Sequence, residues 1–174
     1  MNDTVATTKR AVFRIVINGT IEQVWHELTK QGEPQAAVFN AWLHAQTLAV
    51  GKKMQMRTGD GKNVLVVGTI TAFEPPTRFA HTFRFTQYDD PECEVSYTLK
   101  PVQGGVECTL VVDNLPVGTK TEKEMQGGGT MIMNCLKAMV ENGRPSLGIR
   151  VLYAMMGKMS FVLPKKTRSE HWPL

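Results

Sequence analysis

The chain has 174 residues, 42% apolar and 21% charged, an ordinary soluble composition; at this length one domain buries roughly 70% of its unfolded surface without metals or disulfides. The net charge of +4 is local: Arg144 to Ser169 holds six basic residues and no acidic one, so the remainder, 14 basic against 16 acidic, stands at −2 and the basic character belongs to the tail. No run approaches 18 uninterrupted apolar residues, which excludes a spanning helix, and three cysteines without ligand spacing point to reduced, buried thiols rather than a disulfide framework or a metal site.

The opening "MNDTVATTKR" has no apolar core, so no secretory leader is expected and the expected location is the cytoplasm. "RAVFRIVI" reads as a first strand. In "NGTIEQVWHELTK", Thr20 and Gln23 have capping-box spacing, and Val24, Trp25 and Leu28 form the buried face of a short helix. The spacing of Phe39 and Trp42 predicts a second short helix over Gln35 to Trp42. From Lys52 the pattern changes to period two. "KKMQMRT" and "KNVLVVGTITAF" flank "GDG", where Asp60-Gly61 predicts a two-residue hairpin turn. Pro75 and Pro76 interrupt the sheet, and "FAHTFRF" resumes it with Phe79, His81, Phe83 and Phe85 on one face. After the acidic loop "QYDDPE", Val95, Tyr97 and Leu99 share a face, as do Cys108, Leu110 and Val112. A long helix over Met125 to Gly143 follows, with Gly127, Gly128 and Gly129 near its start. Each glycine costs a helix interior about 1 kcal/mol relative to alanine. The order is strand, two short helices, at least five antiparallel strands and a long helix. That is an α+β arrangement in which the helix covers the apolar face of the sheet.

Four stretches, "TIEQVWHEL", "GTITAFEPPTRFAHTF", "CEVSYTLKP" and "LKAMVENG", resemble the START/polyketide-cyclase superfamily. The closer likeness is to the branch named after the activator of the heat-shock-protein-90 ATPase. It covers about residues 10 to 143, and its motifs are mostly structural. The resemblance implies a helix-grip fold: a curved antiparallel sheet wrapped around a long C-terminal helix, with a cavity between them. Gly128 and Gly129 fall on the inward stripe of that helix, where the family usually carries a tryptophan near Gly129. Extra room, close approach of another element and a helix broken at the glycines all follow as possible consequences.

The tail "PSLGIRVLYAMMGKMSFVLP" lies beyond the resemblance. Leu147, Val151, Leu152, Met155, Met156, Met159, Val162 and Leu163 recur at helical spacing, with Ser146 as cap and Pro164 as stop. The expected division is therefore a helix-grip domain over 1–143 and a basic amphipathic extension over 144–174. The extension is expected to pack on the domain or on a second subunit, ahead of a membrane surface.

No reaction is legible. "GGGT" lacks the lysine and the strand of a P-loop, so anion binding there has little support. "DDPECE" lacks the glycine and alternation of a calcium loop. No nucleophile elbow or dinucleotide fingerprint is present, and neither a metal nor a cofactor is expected. His81 and Tyr97 are the polar groups best placed to orient a ligand inside an apolar pocket, or to act as acid and base on a polyketide-like substrate. The expected walls are Trp42, Met54, Met56, Val66, Phe79, His81, Phe83, Tyr97 and Leu110, roofed by Gly129, Ile132 and Met133. The expected function is binding of a small hydrophobic or amphipathic molecule, a lipid included, as carrier or sensor. A cyclase or aromatase-like enzyme and a chaperone-ATPase cofactor are the other two classes. Nucleic acid is not an expected partner; a homodimer through the C-terminal helix is one of the fates open to the extension.

Overall fold

In the computed structural model, which describes residues 7–158 and 162–174, eight antiparallel strands form one sheet in the order β1-β8-β7-β6-β5-β4-β3-β2. The strands are β1 (Thr8–Ile17), β2 (Pro34–Gln35), β3 (Ala41–His44), β4 (Lys53–Arg57), β5 (Val64–Glu74), β6 (Arg78–Phe85), β7 (Cys93–Val102) and β8 (Gly105–Pro116). Among the described residues three α-helices accompany them: α1 (Ile21–Thr29), α2 (Lys120–Asn142) and α3 (Leu147–Lys158). The sheet curls around α2, which packs on β1, β8 and α1. This is the α+β helix-grip fold. Fully buried Ile17, Leu43, Met54, Ile70, Leu110 and Leu136 hold its centre.

Local chemistry sets the elements in place. The Thr20 hydroxyl accepts from Gln23 N–H at 3.2 Å while the Gln23 amide oxygen accepts from Thr20 N–H at 2.9 Å, closing the capping box of α1. At the start of α2, Thr119 Oγ1 accepts from Glu122 N–H, and the Asp90 carboxylate accepts from both the N–H and the hydroxyl of Thr121 at 2.9 Å. Two bonds clamp the other end of α2 to β1: Lys137 Nζ donates to Val16 O at 2.6 Å, and Asn18 N–H donates to Glu141 Oε1 at 2.7 Å.

Three expectations need correction. Gln35 to Trp42 is a tight reversal and not a helix: Pro34 and Gln35 pair with Trp42 and Ala41, and Phe39 and Asn40 adopt left-handed φ of 53° and 57°. Buried Gln35 is held there by its amide, which donates to the Leu28 and Lys30 carbonyls at the end of α1 at 3.1 and 3.2 Å. The β4–β5 connection is longer than a two-residue turn, since pairing stops at Arg57 with Val64. The Asp60 carboxylate organises that loop, accepting from the Thr58 hydroxyl and Lys62 N–H. Finally, α2 starts at Lys120 and runs unbroken through Gly127–Gly129.

The tail lies on the same domain. Tyr153 of α3 donates its hydroxyl to Ala36 O at 2.8 Å, under the reversal. Further on, Thr167 Oγ1 donates to Asn63 Oδ1, Gln55 donates to Trp172 O at 2.7 Å, and Lys166 pairs with Asp89 at 2.9 Å. The helix is described as far as Lys158; Met159 and the stretch before Val162 lie outside the described residues.

Candidate functional site

Period two on β6 puts Phe79, His81 and Phe83 on the concave face, with ring centroids 5.3 and 6.3 Å apart; Phe85 continues the row, 4.8 Å from Phe83. Tyr97 of β7 stands beside them, opposite Phe79 in register. Between this face and α2 lies a cavity of about 210 Å3. Nine residues of the expected wall line it: Met54, Met56, Val66, Phe79, His81, Phe83, Tyr97, Leu110 and Ile132.

Trp42, Gly129 and Met133 do not. Residues 41–44 form a strand, so Ala41 and Leu43 point inward, and the Trp42 indole turns away to lie against Gly59. Met133 is buried, but it sits one position, about 100°, round α2 from Ile132. Gly129 answers the question of the missing indole: Phe13 of β1 presses on it so closely that a Cβ there would run into the ring. Close approach, not extra room, is the consequence. Sequence reasoning missed Leu28, Val38 and Phe39, carried by α1 and the reversal, and Met156 and Leu163 of the tail. The apolar spacing of the tail was a visible signal; the reversal offered none.

His81 is buried, and its two nitrogens face different surroundings. Nδ1 lies 2.8 Å from Thr82 O; a carbonyl can only accept, so the proton is on Nδ1 and Nε2 is an acceptor. The sheet creates this partner. Val67 pairs with Arg84 and Ile70 with His81, and between those pairs the Thr82 hydroxyl takes Thr69 N–H while its carbonyl takes the imidazole. Gly68 passes so close to that carbonyl that no side chain fits there. Glu27 Oε2, sealed from solvent, pairs with Lys30 Nζ at 3.0 Å. Among the described residues no side-chain hydrogen bond engages His81 Nε2 or the Tyr97 hydroxyl, and both residues line the cavity. Burial lowers the His81 pKa, the Thr82 carbonyl opposing it, and no charged group contributes. Burial raises the Tyr97 pKa, with Cys108 adding to the effect. Both side chains are therefore neutral at pH 7.

The remaining chemistry is structural. Burial pushes the Cys93 and Cys108 thiols up to about 12, which leaves them protonated and unreactive. In the acidic loop Asp89 meets Lys166 and Asp90 caps α2, and just beyond it Glu94 of β7 accepts from the Thr71 hydroxyl. Among the described residues no group of three or more His, Cys, Asp or Glu side chains converges as a metal site. No described helix is long and apolar enough to cross a membrane.

Comparison with known proteins places this geometry. The family described as activator of Hsp90 ATPase homolog 1-like protein matches residues 18–141. No curated protein matches by sequence. Among solved structures, protein MLL2253 from Mesorhizobium loti superposes with a TM-score of 0.64 at 17% identity, covering 76% of this chain and 97% of its own. CalU16 from Micromonospora echinospora gives 0.58 at 19% identity over 90% of this chain and 98% of its own. The Aha1 dimer from Colwellia psychrerythraea gives 0.60 at 17% identity, over 78% and 98%. These likenesses establish the fold.

Proposed function

Because the chain belongs to the activator of Hsp90 ATPase homolog 1-like protein family and its own sheet curls around a helix to leave an internal cavity, we propose that it is a carrier or sensor that binds a small hydrophobic or amphipathic molecule. The observation that carries this reading is an apolar cavity of about 210 Å3 whose lining includes two uncharged polar side chains, His81 and Tyr97. Burying apolar surface drives binding at about 25 cal/mol per Å2, and the two polar side chains fix orientation. Native mass spectrometry followed by denaturing extraction tests it: a retained apolar compound is expected. Failing that, a compact neutral probe such as 4-ethylphenol should bind, and Ile132→Trp, which fills the cavity, should abolish binding in a folded protein. A wild-type chain that takes up neither would overturn the reading.

A cyclase or aromatase-like activity would use the same His81 and Tyr97. Against it stands the absence of a charged contribution at His81 among the described residues; an imidazolium formed there during proton transfer would be buried without a counter-ion. The chaperone-cofactor class rests on the family name, and stimulation of a chaperone ATPase would be its test.

The extension over 144–174 acts in this proposal as part of the ligand-binding unit, in the cytoplasm. Its outer face carries exposed Leu147, Val151 and Met155, and the occupant we assign to that face is a second copy of the chain. A tail of six cations and a remainder at −2 are complementary in charge.

A further inference from the structure

The tail builds a second hollow. It measures about 470 Å3, lies between α3 and the Thr58–Asp60 loop, and adjoins the inner cavity. Phe39, Ala41, Leu65, Gln87, Met156 and Leu163 line both spaces. The partition between them is thus apolar side chains and one amide, with two of the six residues supplied by the tail. Met156 is unbranched and has three rotatable bonds, so this part of the partition can change shape at little cost. By itself the inner space is smaller than the roughly 300–1,000 Å3 of ordinary small-molecule pockets; the two together fall within that range.

The inner end has a definite chemical preference. His81 offers a lone pair, because its one proton is committed to Thr82. A ligand group that donates a hydrogen bond satisfies it. A carboxylate cannot: it would face the lone pair inside an apolar chamber. Burying an unpaired anion is far costlier than burying a hydroxyl that finds an acceptor.

Taking the cavity as a binding site, as proposed above, we infer that the inner and outer hollows form one site for an elongated, uncharged apolar molecule. Its hydroxyl end is held by His81 Nε2, and its chain runs between Met156 and Leu163 into the space walled by the C-terminal extension. The ligand class is long-chain phenols or alcohols rather than fatty acids.

Isothermal titration of the full chain with matched probes tests this. 4-Octylphenol should bind at least tenfold more tightly than 4-ethylphenol, which the inner space alone can hold. 4-Octylanisole, which lacks the donor, and 4-octylbenzoate should each bind about tenfold more weakly than 4-octylphenol. Met156→Trp blocks the partition at a solvent-exposed position; in that variant 4-octylphenol should bind no more tightly than 4-ethylphenol. His81→Phe should erase the preference for the phenol over the anisole and keep the chain-length gain. Equal affinity for the ethyl and octyl phenols, or a chain-length gain that survives Met156→Trp, would overturn the two-chamber site while leaving the binding reading intact. Tighter binding of the benzoate would overturn the ligand class. Failure of every probe, 4-ethylphenol included, would overturn the binding reading and this inference with it.

Discussion

At Gly127 and Gly129, two residues apart on α2, an added methyl meets opposite surroundings. Nothing lies within 4 Å of a Cβ at Gly127, whereas at Gly129 it would collide with the Phe13 ring. Gly127→Ala should therefore stabilise the protein by about 1 kcal/mol through helix propensity alone. Gly129→Ala gains the same propensity but overpacks, and should destabilise by roughly 1–2 kcal/mol net. Phe13→Leu in the Gly129→Ala background should recover part of the loss, a coupling that urea midpoints of the four variants would measure. His81 supports a second prediction at this scale. Its pKa is lowered from 6.5 in the native chain by burial, so below about pH 6.5 the unfolded chain takes up a proton that the native chain refuses. That contribution to stability is complete above pH 6.5. It falls as the pH drops towards the native pKa, at up to about 1.4 kcal/mol per pH unit. Half-buried His44 shifts the same way, from burial and the Arg57 charge, so the share due to His81 is the difference between wild type and His81→Phe. The variant should show the shallower loss of stability between pH 6.5 and 5; parallel curves would mean that His81 is not held neutral.

Among the elements, α3 depends most on a single bond. Tyr153 donates to the carbonyl of buried Ala36 and lies 3.9 Å from Cys135 Sγ, joining the tail to the reversal and to α2. Tyr153→Phe leaves that carbonyl without its partner, which should cost about 1–3 kcal/mol. Thermal denaturation should record the loss, and 4-octylphenol should bind less tightly as the outer wall loosens. An unchanged melting temperature would mean that α3 is docked by apolar contact alone. How legible each element was follows from where its determinants lie. The aromatic row of β6 and the facing rows of β7 and β8 follow from period two, because each strand is buried on one face and its partner is the next strand in sequence. The capping box of α1 is equally local. The reversal at 35–41 was illegible for the opposite reason. Phe39 and Trp42 imitate a helical spacing, while the features that decide the structure are two left-handed residues and a glutamine amide bound to carbonyls of the preceding helix. That misreading placed Trp42 in the wall in place of Leu43. The start of α2 was hidden similarly, since its first turn, Lys120 to Lys123, is polar and is capped by Asp90 from a distant loop.

On the scale of the whole molecule, the described tail is pinned at Tyr153, Thr167 and Trp172 and still leaves an apolar row in solvent. Leu147, Val151 and Met155 recur every fourth residue on α3 and are 72%, 53% and 58% exposed. A row at this spacing is one continuous stripe along a helix. Exposed apolar stripes of this kind mark contact surfaces. A second copy of the chain brings an identical stripe, so the simplest contact pairs α3 with α3 about a two-fold axis. The cations of each tail then lie near the weakly acidic body of the partner. Analytical ultracentrifugation should accordingly find a dimer at micromolar concentration. Val151→Glu combined with Met155→Glu should convert it to a monomer, because four added carboxylates in the dimer would face one another across the two-fold axis. The same double variant should keep its affinity for 4-ethylphenol, since neither residue lines the inner cavity. Wild-type chain that stays monomeric but sediments with vesicles containing phosphatidylserine would transfer the stripe to an anionic membrane surface, where the basic residues of the tail would lie against the lipid headgroups. A monomer that ignores such vesicles would leave the stripe to neither occupant, and the dimer would be refuted.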